Sequence, residues 1–304
     1  MILEIIFIII GFVLLVKGAD FLLKSATSIA KKFGLSETII GLTVVAIGTS
    51  LPEIFITITS AINGHSDLII GNAIGSCICN FLLVLGISAL VKRVKFDKRI
   101  VKTHIPICII AMCLVLLLGN ITKLEESYII NRWQGVILLF CAIGYIVYTI
   151  YEEKTIKNKT IEKEIIEEVE LKEINSGVII VIYLILGILG LKFGSNFVVD
   201  NSILIAEKFG LSENIIGMTI IAVGTALPEI ITGIIAAKRN ETDLLLGNIT
   251  GSNILNLLLL IGLGAVISPI KLMSNFNMTM LVLIAVTILL KFVSNINKNN
   301  ELDK

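Results

Sequence analysis

The chain is written in long apolar blocks separated by short polar joints. Positions 2–16 carry a single charge, Glu4, and positions 177–191 carry none. Stretches of about 20 apolar residues match a bilayer core of about 30 Å, and lipid forces each into a helix because backbone polar groups must be satisfied internally. The pattern predicts nine spans, at 2–23, 36–62, 68–91, 101–118, 133–151, 176–199, 212–237, 244–266 and 278–293. One long polar segment interrupts them, 152–175, with eight Glu, five Lys and no Gly or Pro. It reads as a solvated, partly helical linker, too short for a folded domain. The expected organisation is a first half over 1–151 with five helices, the charged linker over 152–175, and a second half over 176–304 with four.

The two halves repeat. Positions 33–54 return as 209–230 with six of 22 residues changed, a displacement of 176. The same displacement carries Asn72 to Asn248, Gly75-Ser76 to Gly251-Ser252 and Asn80 to Asn256, with no gap from Gly18/Gly194 to Ile87/Leu263. Five helices precede the second copy. An odd number sets the copies in opposite orientations, so the expected fold is an all-α integral membrane protein of two inverted-topology repeats. Inverted repeats around a midplane site are a mark of secondary transporters.

Composition agrees. The hydrophobic fraction is 56%, the charged fraction 16% and the mean hydropathy +0.96, against roughly 25% charge in soluble domains. A net charge of +1 without a basic patch argues against nucleic-acid binding. The five cysteines, Cys77, Cys79, Cys108, Cys113 and Cys141, lie inside apolar spans and read as small buried residues. The start has no positive n-region and no small-residue cleavage site, so it reads as a retained first helix rather than a signal peptide. With the N-terminus outside, eighteen Lys/Arg fall on inner segments and four outside: Lys123, Arg132, Lys208 and Lys271. The positive-inside rule then favours N-out, C-in, in the cell membrane, with the linker cytoplasmic.

Two carboxylates stand out. Glu53 and Glu229 lie mid-span in apolar helices, where a charge costs about 2.5 kcal/mol or more and marks a functional site by default. The competing reading is a structural Glu bonded to a neighbour. Each Glu follows a proline, Pro52 or Pro228, which removes an N–H and disturbs the turn before it; Gly48 and Gly224 loosen that turn further. The disturbed turns hold Ala46 to Thr49 and Ala222 to Thr225. Thr49, Ser50 and Thr225 add hydroxyls. The following spans bring Ser76 with Asn80 and Ser252 with Asn256, each pair spaced i, i+4 on one helix face. Packing is the plain reading of a Gly-Ser pair there, and the symmetric Asn turns the balance toward ligation. The sum is two carboxylates, four Ser/Asn side chains, Thr hydroxyls and freed carbonyls, with no thiolate or imidazole in the Pro-Glu motifs. All-oxygen sites suit hard cations such as calcium. Two negative charges balance one divalent or two monovalent ions, the arithmetic of competition between unlike cations.

These residues resemble the sodium/calcium exchanger branch of the calcium:cation antiporter superfamily, in particular its archaeal and bacterial members. The Gly-Thr-Ser/Ala-Leu-Pro-Glu repeats carry the resemblance, which covers nearly the whole chain. It implies a secondary antiporter exchanging Ca2+ for Na+ by alternating access, with the first and sixth helices sliding across the core. It implies calcium on Glu53, Glu229 and the Thr49 and Thr225 carbonyls, and sodium on the Ala46 and Ala222 carbonyls, Ser76, Ser252 and neighbours. No enzyme activity, resident cofactor or protein partner is implied; the substrates are Ca2+ and Na+ and the surroundings are the lipid bilayer. Proton-coupled relatives carry a Glu-His pair, whereas His65 and His104 here lie outside the motifs, His65 in a loop and His104 near a membrane edge. Three departures stand: Ala226 where the first copy has Ser50, Asn256 where several members have Asp, and no counterpart of the fifth span after the ninth, where the family usually has a tenth helix. The alternatives are a proton/calcium antiporter and, further off, a cation channel or a membrane hydrolase.

Overall fold

The structure is a computed structural model and describes residues 2–124, 127–160, 176–210, 222–296 and 301–302. It is a helical membrane protein. We number the helices α1 (Ile2–Phe33), α2 (Glu37–Thr49), α3 (Leu51–Ile62), α4 (Ser66–Val91), α5 (Ile100–Gly119), α6 (Arg132–Thr160), α7 (Gly177–Lys208), α8 (Ala222–Thr225), α9 (Leu227–Lys238), α10 (Thr242–Ile267) and α11 (Phe276–Ile296). Among the described residues seven helices are long and apolar enough to cross a membrane, and α2 with α3, bent by 48° at Ser50, makes an eighth span. The seventh expected span, 212–237, lies in part outside the described residues; α8 and α9 are what is seen of it. Residues 161–175 of the linker also lie outside them, while 152–160 continue α6.

Three spans outrun their expected ends, α6 among them, which runs to Thr160. Helices α1 and α7 are each 32 residues, about 48 Å at 1.5 Å per residue, well beyond the bilayer core. Hydropathy stops the first prediction at Leu23, yet helix-compatible residues continue until Gly34, whose positive φ of 59° ends α1; Gly210, at φ 73°, stands at the matching place after α7.

The repeat governs the architecture. Leu51–Ile62 matches Leu227–Lys238, Ser66–Cys79 matches Thr242–Leu255, and wide π-helical turns occur at Asn80–Val84 and Asn256–Leu260, all at the displacement seen in sequence. Helices α1 and α7 form one tightly packed pair. A Cβ on Gly18 would sit 2.7 Å from the Leu191 nitrogen, and one on Gly194 2.7 Å from the Gly11 carbonyl oxygen. Small residues that let backbones touch are what holds helices together in lipid. Helix α2 crosses α10 just as closely, a Cβ on Gly251 lying 2.5 Å from the Leu42 carbonyl oxygen.

Contacts between the joints define two polar faces. On one, Ser36 caps α2 and donates its N–H to Glu153 Oε1 at 2.7 Å, Arg99 Nη1 reaches Glu153 Oε2 at 2.9 Å, and Thr38 donates to Asp97 at 2.7 Å. Strand β1 (Val94–Lys95) pairs antiparallel with β5 (Glu301–Leu302) beside this network. In the joint before α10, burial pushes the Glu241 carboxyl up to about 7, against the opposing pull of Arg239, which also pairs with Asp20 of α1. On the other face β2 (Lys123–Leu124), β3 (Ser127–Ile130) and β4 (Ile270–Lys271) form a three-stranded ribbon, and Lys271 N donates to Ser66 Oγ at 3.1 Å. These strands are two to four residues long, too short for hydropathy to announce them.

His65 occupies the joint before α4, as expected. His104 is fully buried: its Nε2 is 3.2 Å from Glu152 and its Nδ1 3.3 Å from the Tyr145 hydroxyl, because the extended α6 carries Glu152 back over it. Cys77 and Cys108 are buried and Cys79 and Cys141 partly so, but Cys113 is exposed, on the outer surface of α5.

Candidate functional site

Both broken helices break alike. Ser50 has φ −82°, ψ 5° and Ala226 φ −88°, ψ 0°; in each case the next helix starts with Leu-Pro-Glu, the proline where its missing N–H costs least. Glu53 and Glu229 therefore stand in the first turns of α3 and α9, at the positive ends of half-helix dipoles. They are 1% and 3% exposed. Each has one oxygen, Oε2, without a hydrogen-bond partner, and among the described residues no basic side chain pairs with either. The two carboxylates feel each other's charge. Two like charges buried together without a cation are costly.

Neutral oxygens of both repeats meet at the broken turn of α2. Thr49 is fully buried and donates to Asn248 Oδ1 at 3.2 Å, with the Ala46 carbonyl 3.4 Å away. Ser252 lies at 3.5 Å from both the Ala46 carbonyl and Asn248 Oδ1. Helix α10 of the second repeat is thereby laid against the broken turn of the first. Asn72 donates to the Glu53 carbonyl at 3.2 Å and ties α4 to α3. Ser50, Ser76, Asn80 and Asn256 are all buried, and Ser50 Oγ, Asn80 Oδ1 and Asn256 Oδ1 have no partner. With the two carboxylate oxygens, that makes five buried acceptors awaiting something positive. Buried polar atoms are nearly always paired, and five orphaned oxygens fit a cation as cargo. Among the described residues no group of three or more His, Cys, Asp or Glu side chains is placed to hold a metal ion. Thr225 is partly buried at the end of α8, and Ala222 begins that helix.

Sequence matching missed two participants. Asn248 was visible as the mate of Asn72 but carried no expected role; it sits between Thr49 and Ser252. Ser195 of α7 has Ala19 at the matching place and so gave no repeat signal. Pro228 leaves the Gly224 carbonyl without its helical donor, and Ser195 Oγ donates to that oxygen at 2.8 Å. Helix α7 is thus hydrogen-bonded to the broken turn. Ser195→Ala should leave this carbonyl unpaired, at a cost of about 1–3 kcal/mol, read as a lower thermal-unfolding midpoint in detergent. An unchanged midpoint would mean that the carbonyl finds another donor.

Known proteins match the chain nearly throughout. The family described as sodium/calcium exchanger protein matches residues 3–151 and 179–300. The putative antiporter CaxA of Alkalimonas amylolytica is 38% identical over 266 residues, 87% of this chain and 81% of that one. The sodium/calcium exchanger MaX1 of Methanosarcina acetivorans is 32% identical, covering 94% and 90%. The solved structure of the sodium-calcium exchanger NCX_Mj superposes with a TM-score of 0.81 at 32% identity, over 99% of this chain and 93% of that one. A repeat with this signature, folded this way and matched nearly from end to end, places the chain in the sodium/calcium exchanger protein family.

Proposed function

We propose that this protein exchanges Ca2+ for Na+ across the cell membrane by alternating access. The observation that carries the reading is the pair of buried carboxylates, Glu53 and Glu229, with no basic partner among the described residues and unpaired oxygens around them. The names of the relatives MaX1 and NCX_Mj support sodium as the coupling ion. In this reading Glu53, Glu229 and the Thr49 and Thr225 carbonyls hold calcium. The Ala46 and Ala222 carbonyls, Ser50, Ser76, Ser252, Asn80 and Asn256 complete the sodium and calcium shells. The α1–α7 pair slides over the core that carries the site. Residues 1–151 and 176–304 act as the two halves, joined by a cytoplasmic linker. The charge bias and the two faces of joint contacts support the N-terminus outside and the C-terminus inside.

The test is calcium flux in proteoliposomes under imposed sodium, potassium or proton gradients at clamped voltage. An inward or outward sodium gradient should drive calcium the opposite way. Flux driven by a proton gradient alone would establish the proton/calcium alternative, and conductance beyond a transporter's turnover would reveal a channel. Replacing potassium by choline on both sides should leave sodium-driven flux unchanged. Asn80 and Asn256 are neutral, so the site carries two negative charges, and potassium bound beside calcium would leave it net positive in a low-dielectric setting. Collapse of flux without potassium would refute that charge argument.

A further inference from the structure

Where α4 and α10 cross, Asn253 faces a residue of another kind, Cys77, which stands at the matching position of the first repeat. The two reach across to each other's backbones. Asn253 Nδ2 donates to the Cys77 carbonyl at 3.2 Å, and Cys77 Sγ donates to the Asn253 carbonyl at 3.5 Å. Both residues are fully buried. The other end of the Asn253 amide, Oδ1, accepts from Asn80 Nδ2 at 2.9 Å.

The polarity of this chain is forced. A backbone carbonyl only accepts, so Asn253 must turn its amino end to Cys77. Its oxygen then faces Asn80, and an amide oxygen also only accepts, so Asn80 must turn its amino end to Asn253. The Asn80 oxygen is left pointing the other way, buried and without a partner. We propose that Asn253 is a positioning residue: anchored on the Cys77 carbonyl, it locks the Asn80 amide so that oxygen, and not NH2, is offered to the cation. The proposal rests on the reading of Asn80 as a cation ligand. A freely turning amide would spend part of its time presenting a donor to a positive charge.

The device exists once. For Asn256 the matching partner would be Cys77, whose thiol is a weak acceptor, and the Asn256 oxygen is unpartnered as well. The near-twofold site therefore has one amide fixed in orientation and one not fixed by this means.

The test is a double-mutant cycle on the purified full-length protein in detergent, read as calcium affinity by calorimetry in sodium-free choline buffer. With Asn253→Ala the Asn80 amide loses the acceptor that holds its amino end and can turn that donor toward the cation, so calcium binding should weaken about ten-fold. In the Asn80→Ala background, where no amide remains to be oriented, the same change should cost less than about two-fold. An equal loss in both backgrounds would assign Asn253 to packing alone and overturn the proposal. So would an unchanged affinity for Asn253→Ala when Asn80→Ala is costly. If Asn80→Ala itself leaves affinity unchanged, the fault lies in the ligand assignment of Asn80. Should Asn253→Ala not give monodisperse protein, Asn253→Cys under reducing agent replaces it. That variant copies the donation Cys77 makes and offers Asn80 no strong acceptor, so it carries the same expectations.

Discussion

Glu53→Gln should abolish sodium-driven calcium uptake in reconstituted vesicles, and Glu229→Gln should do the same, while both proteins stay folded. Glutamine keeps the shape of the side chain and removes one of two negative charges from a site where both are almost fully buried. Breaking a buried charge pairing by removing one partner costs about 3–5 kcal/mol, so calcium affinity should fall at least a hundred-fold, by roughly 1.4 kcal/mol per factor of ten. The effect on the empty protein has the opposite sign. Without a cation, the two carboxylates are desolvated neighbours of like charge, and removing one relieves that cost. Each variant should therefore unfold at a temperature equal to or above the parent's in calcium-free buffer, while the rise that calcium gives the parent disappears. Thermal unfolding with and without calcium, beside the flux assay, reads both signs. Near-normal flux from either variant would remove that Glu from the site, and a variant that unfolds early in calcium-free buffer would show that the carboxylate is structural.

Much of this arrangement was legible from the repeat and little of it from propensity. One copy of Leu-Pro-Glu in an apolar helix says only that the helix is kinked. Two copies at a fixed displacement say that the kink and the charge belong together, and Glu53 and Glu229 do stand in matching first turns after matching breaks. Asn80 and Asn256 stand at the starts of matching π-helical turns, which the i, i+4 spacing does not announce. What the sequence hid were interactions that break the symmetry or depend on long-range packing. Ser195 and Asn253 have Ala19 and Cys77 as mates, so a search for matched pairs passes over them. Helices α1 and α7 are longer than hydropathy allows because their polar ends remain helical once packed. Glu152 covers His104 only because α6 runs past its apolar block, and hydropathy cannot see a helix continuing into charge.

Gly251→Val should disable the protein by a different route. Glycine here looks like a generic small residue of a membrane helix, but its surroundings are backbone: an added Cβ would lie 2.5 Å from the Leu42 carbonyl oxygen and 2.7 Å from Leu42 Cα. Neither atom can move without moving α2. Overpacking a well-filled core costs about 1–3 kcal/mol when side chains can give way, and with backbone on both sides the cost should reach the upper end or pass it. The site depends on the same crossing. Ser252 follows Gly251 directly, and Asn248 lies one turn before it; their contacts with Thr49 and the Ala46 carbonyl are what lay the second repeat against the first. Forcing α2 from α10 should therefore lower both the unfolding midpoint and calcium binding, with transport lost. Gly144 of α6 is the control: a Cβ there meets nothing within 4 Å, and Gly144→Ala should be neutral or stabilising by up to about 1 kcal/mol from helix propensity. If Gly251→Val keeps the parent's midpoint and flux, α2 and α10 do not touch at this point, and the oxygen shell drawn from both repeats would have to be abandoned with it.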